Sequence, residues 1–189
     1  MREKHLAEMP VIEKSRQNLE TVILAKSLPM SLYLALTGLA FLVPMIFSTP
    51  QWLIGTMVNT LLFIAALKLD FKKQLPIIIL PSLGAFSHGV LFGPLTVFLL
   101  YFLPFIWLGN AVLVRFVGLK PVSHWPFFYR AFIASILKFI VLFLVAYVYI
   151  NLGLVPAVFL SAMGLIQLLT AIMGAMTAFF VLEKINFND

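Results

Sequence analysis

The sequence predicts an all-α integral membrane protein, a bundle of six transmembrane helices with both termini on the cytoplasmic side and an amphipathic or flexible leader before the first span. Three observations carry that prediction. Hydrophobic residues make up 62% of the 189 and charged residues 11%, with a mean hydropathy of +1.08, whereas a soluble domain is roughly 45–50% apolar and 25% charged. Six apolar stretches follow one another, at 28–47, 52–69, 75–92, 95–117, 131–150 and 154–182. Most are close to the ~20 residues that cross a ~30 Å hydrocarbon core at 1.5 Å per residue, and the last is long enough to tilt or protrude. The charges between them also fall on alternate connections.

Residues 1–26 are a polar leader in which Arg2, Lys4, Lys14, Arg16 and Lys26 mix with Glu3, Glu8, Glu13 and Glu20. Mixed charge without an apolar core and a small-residue cleavage site is unlike a signal peptide. Leu6, Met9, Ile12, Leu19 and Ile23 fall loosely on one face, so the leader either lies at the headgroups or is a solvated start. Residues 27–189 form a single membrane domain. The links after the first, third and fifth spans have no charge, while those after the second and fourth contain Asp70, Lys72, Lys73 and Lys120, flanked by Arg115 and Arg130. The positive-inside rule places those links and both termini in the cytoplasm. This topology also accounts for the net charge of +6 without a nucleic-acid partner. The chain has no cysteine, hence no disulfide or thiolate metal site.

Residues 81–115 are the focus of the chain. Pro81, Gly93-Pro94 and Pro104 interrupt an apolar run that also holds Gly84, His88, Gly89, Gly109 and Asn110. An unsatisfied backbone group in hydrocarbon costs several kcal/mol, so such breaks are expected only where protein or a water-lined cavity covers them. The other intramembrane polar groups are Asn59, Tyr101, Lys138, Tyr147 and Gln167. By rise per residue, His88, Asn59, Tyr101 and Tyr147 lie in the outer half, and Asn110, Lys138 and Gln167 near the midplane. Lys138 is the sharpest of these signals: an ammonium near the bilayer centre costs at least ~2.5–3.5 kcal/mol, and no span contains Asp or Glu to neutralise it. It must either meet water, a helix end or an anionic ligand, or snorkel toward the cytoplasmic headgroups. The expected ligand-binding set is therefore His88, Lys138, Gln167, Asn110, Asn59 and Tyr101. A lone His88 has no companions for a metal, and His5 and His124 lie on the cytoplasmic side, so neither metal nor other cofactor is expected.

The absence of intramembrane carboxylates and of GxSxG, HExxH and Walker A motifs argues against an enzyme and against ATP hydrolysis by this chain. Small residues recur at helical spacing in the first span (Ser27, Ser31, Ala35, Gly38) and the last (Ala157, Ser161, Gly164, Ala171, Ala175, Ala178). Such stripes let helices approach closely, within the bundle or against another protein.

Six short spans in 189 residues, the punctuated PSLGAFSHGVLFGP segment and the small residues of the first span together resemble the substrate-binding S components of energy-coupling factor (ECF) transporters. The resemblance covers 28–182 and is one of architecture. It implies a plasma-membrane (cell inner membrane) subunit that captures a micronutrient or other small molecule from outside. It also implies partners: a transmembrane coupling protein and two cytoplasmic ATPases. The family's AxxxA docking contact would fall on Ser31 to Ala35, with Gly38 beyond, Ser31 replacing the first alanine. Cell-shape scaffold proteins of the MreD type resemble the same fold and give the rival reading, a non-transporting assembly protein.

Overall fold

A computed structural model describes residues 30–47, 50–89, 95–119 and 125–187, with side chains as far as Lys184. The leader at 1–26, Gly93-Pro94, Lys120 and His124 lie outside the described residues. The described chain is helical: α1 (Met30–Ile46), α2 (Gln51–Lys68), α3 (Phe71–His88), α4 (Thr96–Val117), α5 (Phe127–Asn151), α6 (Val158–Met163) and α7 (Leu165–Phe187). Four helices are long and apolar enough to cross a membrane: α2, α4, α5 and the α6–α7 segment Val158–Lys184. They mark a multi-pass membrane protein. α1 is apolar but shorter, at 17 residues, and α3 opens with Phe71, Lys72, Lys73 and Gln74.

Side-chain contacts establish which helix ends lie together. Gln74 at the start of α3 donates from Nε2 to the Leu69 carbonyl beyond the end of α2 (2.7 Å). Arg130 in the first turn of α5 donates from Nη1 to the Val117 carbonyl that ends α4 (2.7 Å) and from Nε to Trp125 O (3.1 Å). A cation there is favoured by the negative end of the α4 dipole. Arg115 stacks over Phe71 at 4.9 Å, and Phe127 stacks on Phe179 of α7 at 6.0 Å. The C-terminal ends of α2, α4 and α7 thus meet the N-terminal ends of α3 and α5. Lys68, Asp70, Lys72, Lys73, Arg115, Arg130, Glu183 and Lys184 all sit at this end. Among the described residues, Lys138, in the middle of α5, is the charged side chain that does not. At the opposite end Tyr101 meets Tyr149 (ring centroids 6.3 Å), and Phe98 meets Phe159 (6.1 Å).

α2 is the central helix. It buries Asn59, Thr60, Leu61, Leu62, Phe63, Ile64, Ala65 and Ala66 in succession, a run with no lipid-facing side, and it packs on α7, α4, α3 and α1. The α2–α7 contact is a close one because of two glycines. A Cβ at Gly174 would lie 2.7 Å from Asn59 Cβ and 2.9 Å from Thr60 N, and one at Gly55 would lie 2.9 Å from Thr170 Cγ2. Without a hydrophobic drive between helices in lipid, this close packing is a main source of association.

Three of the sequence expectations about breaks meet a different structure. α3 continues through Pro76 and Pro81, and α4 through Pro104; each proline removes one i→i−4 hydrogen bond, a loss that a membrane helix tolerates where surrounding protein covers it. Asn110 on α4 donates to the Ile78 carbonyl in the turn before Pro81 (3.0 Å). α3 ends at Gly89, whose φ of 70° is the left-handed conformation glycine adopts freely, with its N–H bonded to Ala85 and Phe86 carbonyls. The last apolar stretch, continuous in sequence, is divided at Gly164 (φ −99°, ψ −110°) into α6 and α7. A Cβ there would run into the Leu160 carbonyl and lie 3.1 Å from Phe143.

Candidate functional site

The close α2–α7 approach places Asn59 and Thr170 side by side, and α5 brings Lys138 to them. Lys138 donates from Nζ to Asn59 Oδ1 (2.7 Å). Asn59 uses its two amide protons on Gly55 O (2.9 Å) and Thr170 Oγ1 (3.1 Å), and Thr170 passes its own proton to Gln167 O (3.2 Å). Every polar atom of the Asn59 amide is thereby engaged, which fixes which way it faces: its carbonyl must point at the ammonium. Lys138 is 2% exposed, Asn59 1% and Thr170 1%. The lysine stem reaches this depth along Gly109 of α4, where an added Cβ would lie 3.3 Å from Lys138 Cγ. The lysine therefore points into the bundle instead of snorkelling toward the charged end.

This network borders a cavity of about 70 Å³. One water requires about 10–15 Å³, so the cavity has room for roughly five waters or a solute of about that many heavy atoms. Its polar wall comprises Asn59, Ser82, Asn110, Lys138, Gln167 and Thr170, and its apolar wall includes Ile54, Ala85, Leu99, Ile106 and Met163. Pro44, at the end of α1, and Gln51, at the start of α2, also line it, which sets it toward the end of the bundle opposite the charge cluster. Ser82 is positioned by its bond to Ile79 O (2.9 Å) and accepts from Trp107 Nε1 (2.7 Å). Asn110 is 1% exposed. Its amide nitrogen is bonded to Ile78 O, and its Oδ1 has no hydrogen-bond partner.

Of the six residues expected at a ligand site, the structure brings four to this cavity: Asn59, Asn110, Lys138 and Gln167. His88, the last residue of α3, is exposed and lies outside it. Tyr101 is 49% exposed and accepts at its backbone carbonyl from Tyr149 Oη (3.4 Å). Thr170, Ser82 and the glycines at 55 and 174 belong to the site but were not singled out by sequence. Among the described residues no group of three or more His, Cys, Asp and Glu side chains could hold a metal ion. On α1, Ser31 and Ala35 face outward, Gly38 is half-buried, and a Cβ at Gly38 would meet nothing within 4 Å.

No family model, curated protein or solved structure matches this chain.

Proposed function

We propose that the chain is the solute-binding membrane subunit of an ATP-driven importer of the energy-coupling factor type, with the Lys138–Asn59 cavity as its binding site. The observation that supports this reading is a buried lysine held by an oriented amide at the wall of a largely apolar cavity, away from every other charge of the described chain. A charge inside a membrane protein is costly and is found on substrate or ion pathways, and small-molecule sites are largely apolar with a few placed polar groups. A scaffold needs neither. In this reading the chain has six spans, with α1 and α3 completing the set, in the plasma membrane. The charge cluster faces the cytoplasm together with both termini, as the positive-inside rule requires, and the cavity faces outward.

The partners in this proposal are a transmembrane coupling protein and two cytoplasmic ATPases. The outward-facing Ser31 and Ala35, with Gly38, form the docking stripe, because small side chains let a partner helix approach closely. The test is native mass spectrometry of the gently purified full chain. A retained small molecule that disappears in Lys138→Met supports the proposal. A bare polypeptide mass, together with co-purifying membrane assembly proteins, would favour the MreD-type scaffold instead.

A further inference from the structure

We propose that the cavity takes a small organic monoanion carrying its own hydrogen-bond donor, of the chemical class of a short hydroxycarboxylate; this inference rests on the solute-binding reading above. Three features of the wall point to that class. The first is charge. Lys138 has no carboxylate partner among the described residues, whose acids Asp70 and Glu183 both lie at the charged end. Its ammonium has three protons, and Asn59 Oδ1 takes one. Two remain for an acceptor that also supplies the missing negative charge, as the carboxylate of a solute would. A hydrogen bond between two charged groups is roughly twice as strong as a neutral one.

The second feature is the unpartnered Asn110 Oδ1. Asn110 is buried at the cavity wall, and its Nδ2 is committed to Ile78 O. The amide therefore keeps a covered acceptor without a donor, and a buried acceptor left without a donor costs stability. A solute that only accepts would leave it unsatisfied, whereas a small turn of the Asn110 side chain toward the cavity would let one with an O–H or N–H complete it. The third is size. A cavity of about 70 Å³ holds about five water-sized positions, which suits a two- or three-carbon acid. The network Lys138–Asn59–Thr170–Gln167 spans α5, α2 and α7, and Asn110 lies on α4, so one such solute would tie together four helices.

The test is a titration of the full chain, in lipid nanodiscs, with three two-carbon probes: glycolate, acetate without the hydroxyl, and glycolamide without the charge. Affinity is expected to fall in the order glycolate, acetate, glycolamide. Loss of the donor weakens binding about 2- to 10-fold, and loss of the charge about 10- to 150-fold. Lys138→Met should abolish the preference for glycolate over glycolamide, and Asn110→Leu the preference for glycolate over acetate. The order in the wild-type chain needs no variant to fold. Glycolamide binding as tightly as glycolate would overturn the proposal, as would acetate matching glycolate. If none of the probes binds while native mass spectrometry still shows a retained molecule lost in Lys138→Met, the anion assignment falls and the solute-binding reading stands. No probe binding and no retained molecule would overturn both.

Discussion

Replacing Asn59 by Leu keeps the volume of the side chain and removes all three of its hydrogen bonds, so the cost can be worked out bond by bond. The two bonds that the amide donates, to Gly55 O and Thr170 Oγ1, are neutral, and interhelical bonds of this kind in membrane proteins average about 0.6 kcal/mol. The third, from Lys138 Nζ, involves a charged donor and is worth about 1.5–3 kcal/mol. Asn59→Leu should therefore cost about 3–4 kcal/mol in the wild-type background. In a Lys138→Met background the charged bond is already gone, and the same substitution should cost only about 1 kcal/mol. The double-mutant cycle isolates a coupling of roughly 1.5–3 kcal/mol between two residues 79 positions apart in sequence. Reversible unfolding of the four proteins in mixed micelles measures it. If Asn59→Leu costs the same in both backgrounds to within about 0.5 kcal/mol, the two side chains do not interact, and the reasoning that builds the site around them fails.

The two glycine environments predict opposite signs. Gly174→Ala forces a Cβ to 2.7 Å from Asn59 and should destabilise by about 1–3 kcal/mol, whereas Gly38→Ala meets nothing and should stabilise α1 by about 0.5–1 kcal/mol, both read from the same unfolding assay. For topology, a cysteine at the exposed Leu152 should react in intact cells with an impermeant thiol reagent, and one at the exposed Leu119 should not; the reverse pattern would invert the orientation. For docking, Ala35→Trp changes an exposed position of α1, so it should leave folding and solute binding intact while abolishing co-purification with the coupling protein and uptake. Retained co-purification would remove the stripe from the interface.

What the sequence made legible was charge and depth. Lysine and arginine positions set which helix ends belong together, and Lys68, Lys72, Lys73, Arg115 and Arg130 share one end, where Gln74, Arg130 and Arg115 contact the neighbouring helix ends. The rise per residue put Asn110, Lys138 and Gln167 at one level, and they line one cavity. Depth says nothing about azimuth, however, and this separates Asn59 from His88 and Tyr101. All three were placed in the outer half, but the packing of α2 at the centre turns Asn59 inward, while His88 and Tyr101 face out. Thr170 was overlooked because a hydroxyl in a helix usually satisfies itself on its own backbone, as Thr37, Thr56 and Thr177 do here. The prolines misled in the other direction. Pro81 and Pro104 read as breaks in isolation, yet both helices run through them, because the loss of one i→i−4 bond does not end a helix that its neighbours cover. Gly164 gave no warning of a break, because the apolar run on either side of it is uninterrupted.

The central claim is that Lys138 faces a solute cavity. A high-resolution structure of the full chain purified in its native lipids, with no ligand added, tests it most directly. The account predicts Lys138 Nζ bonded to Asn59 Oδ1 and density for a compact non-protein molecule within hydrogen-bonding distance of both Lys138 Nζ and Asn110 Oδ1. A lysine stem running toward the charged end of α5, with the space beside Asn59 and Asn110 closed or filled by a lipid chain, would contradict it.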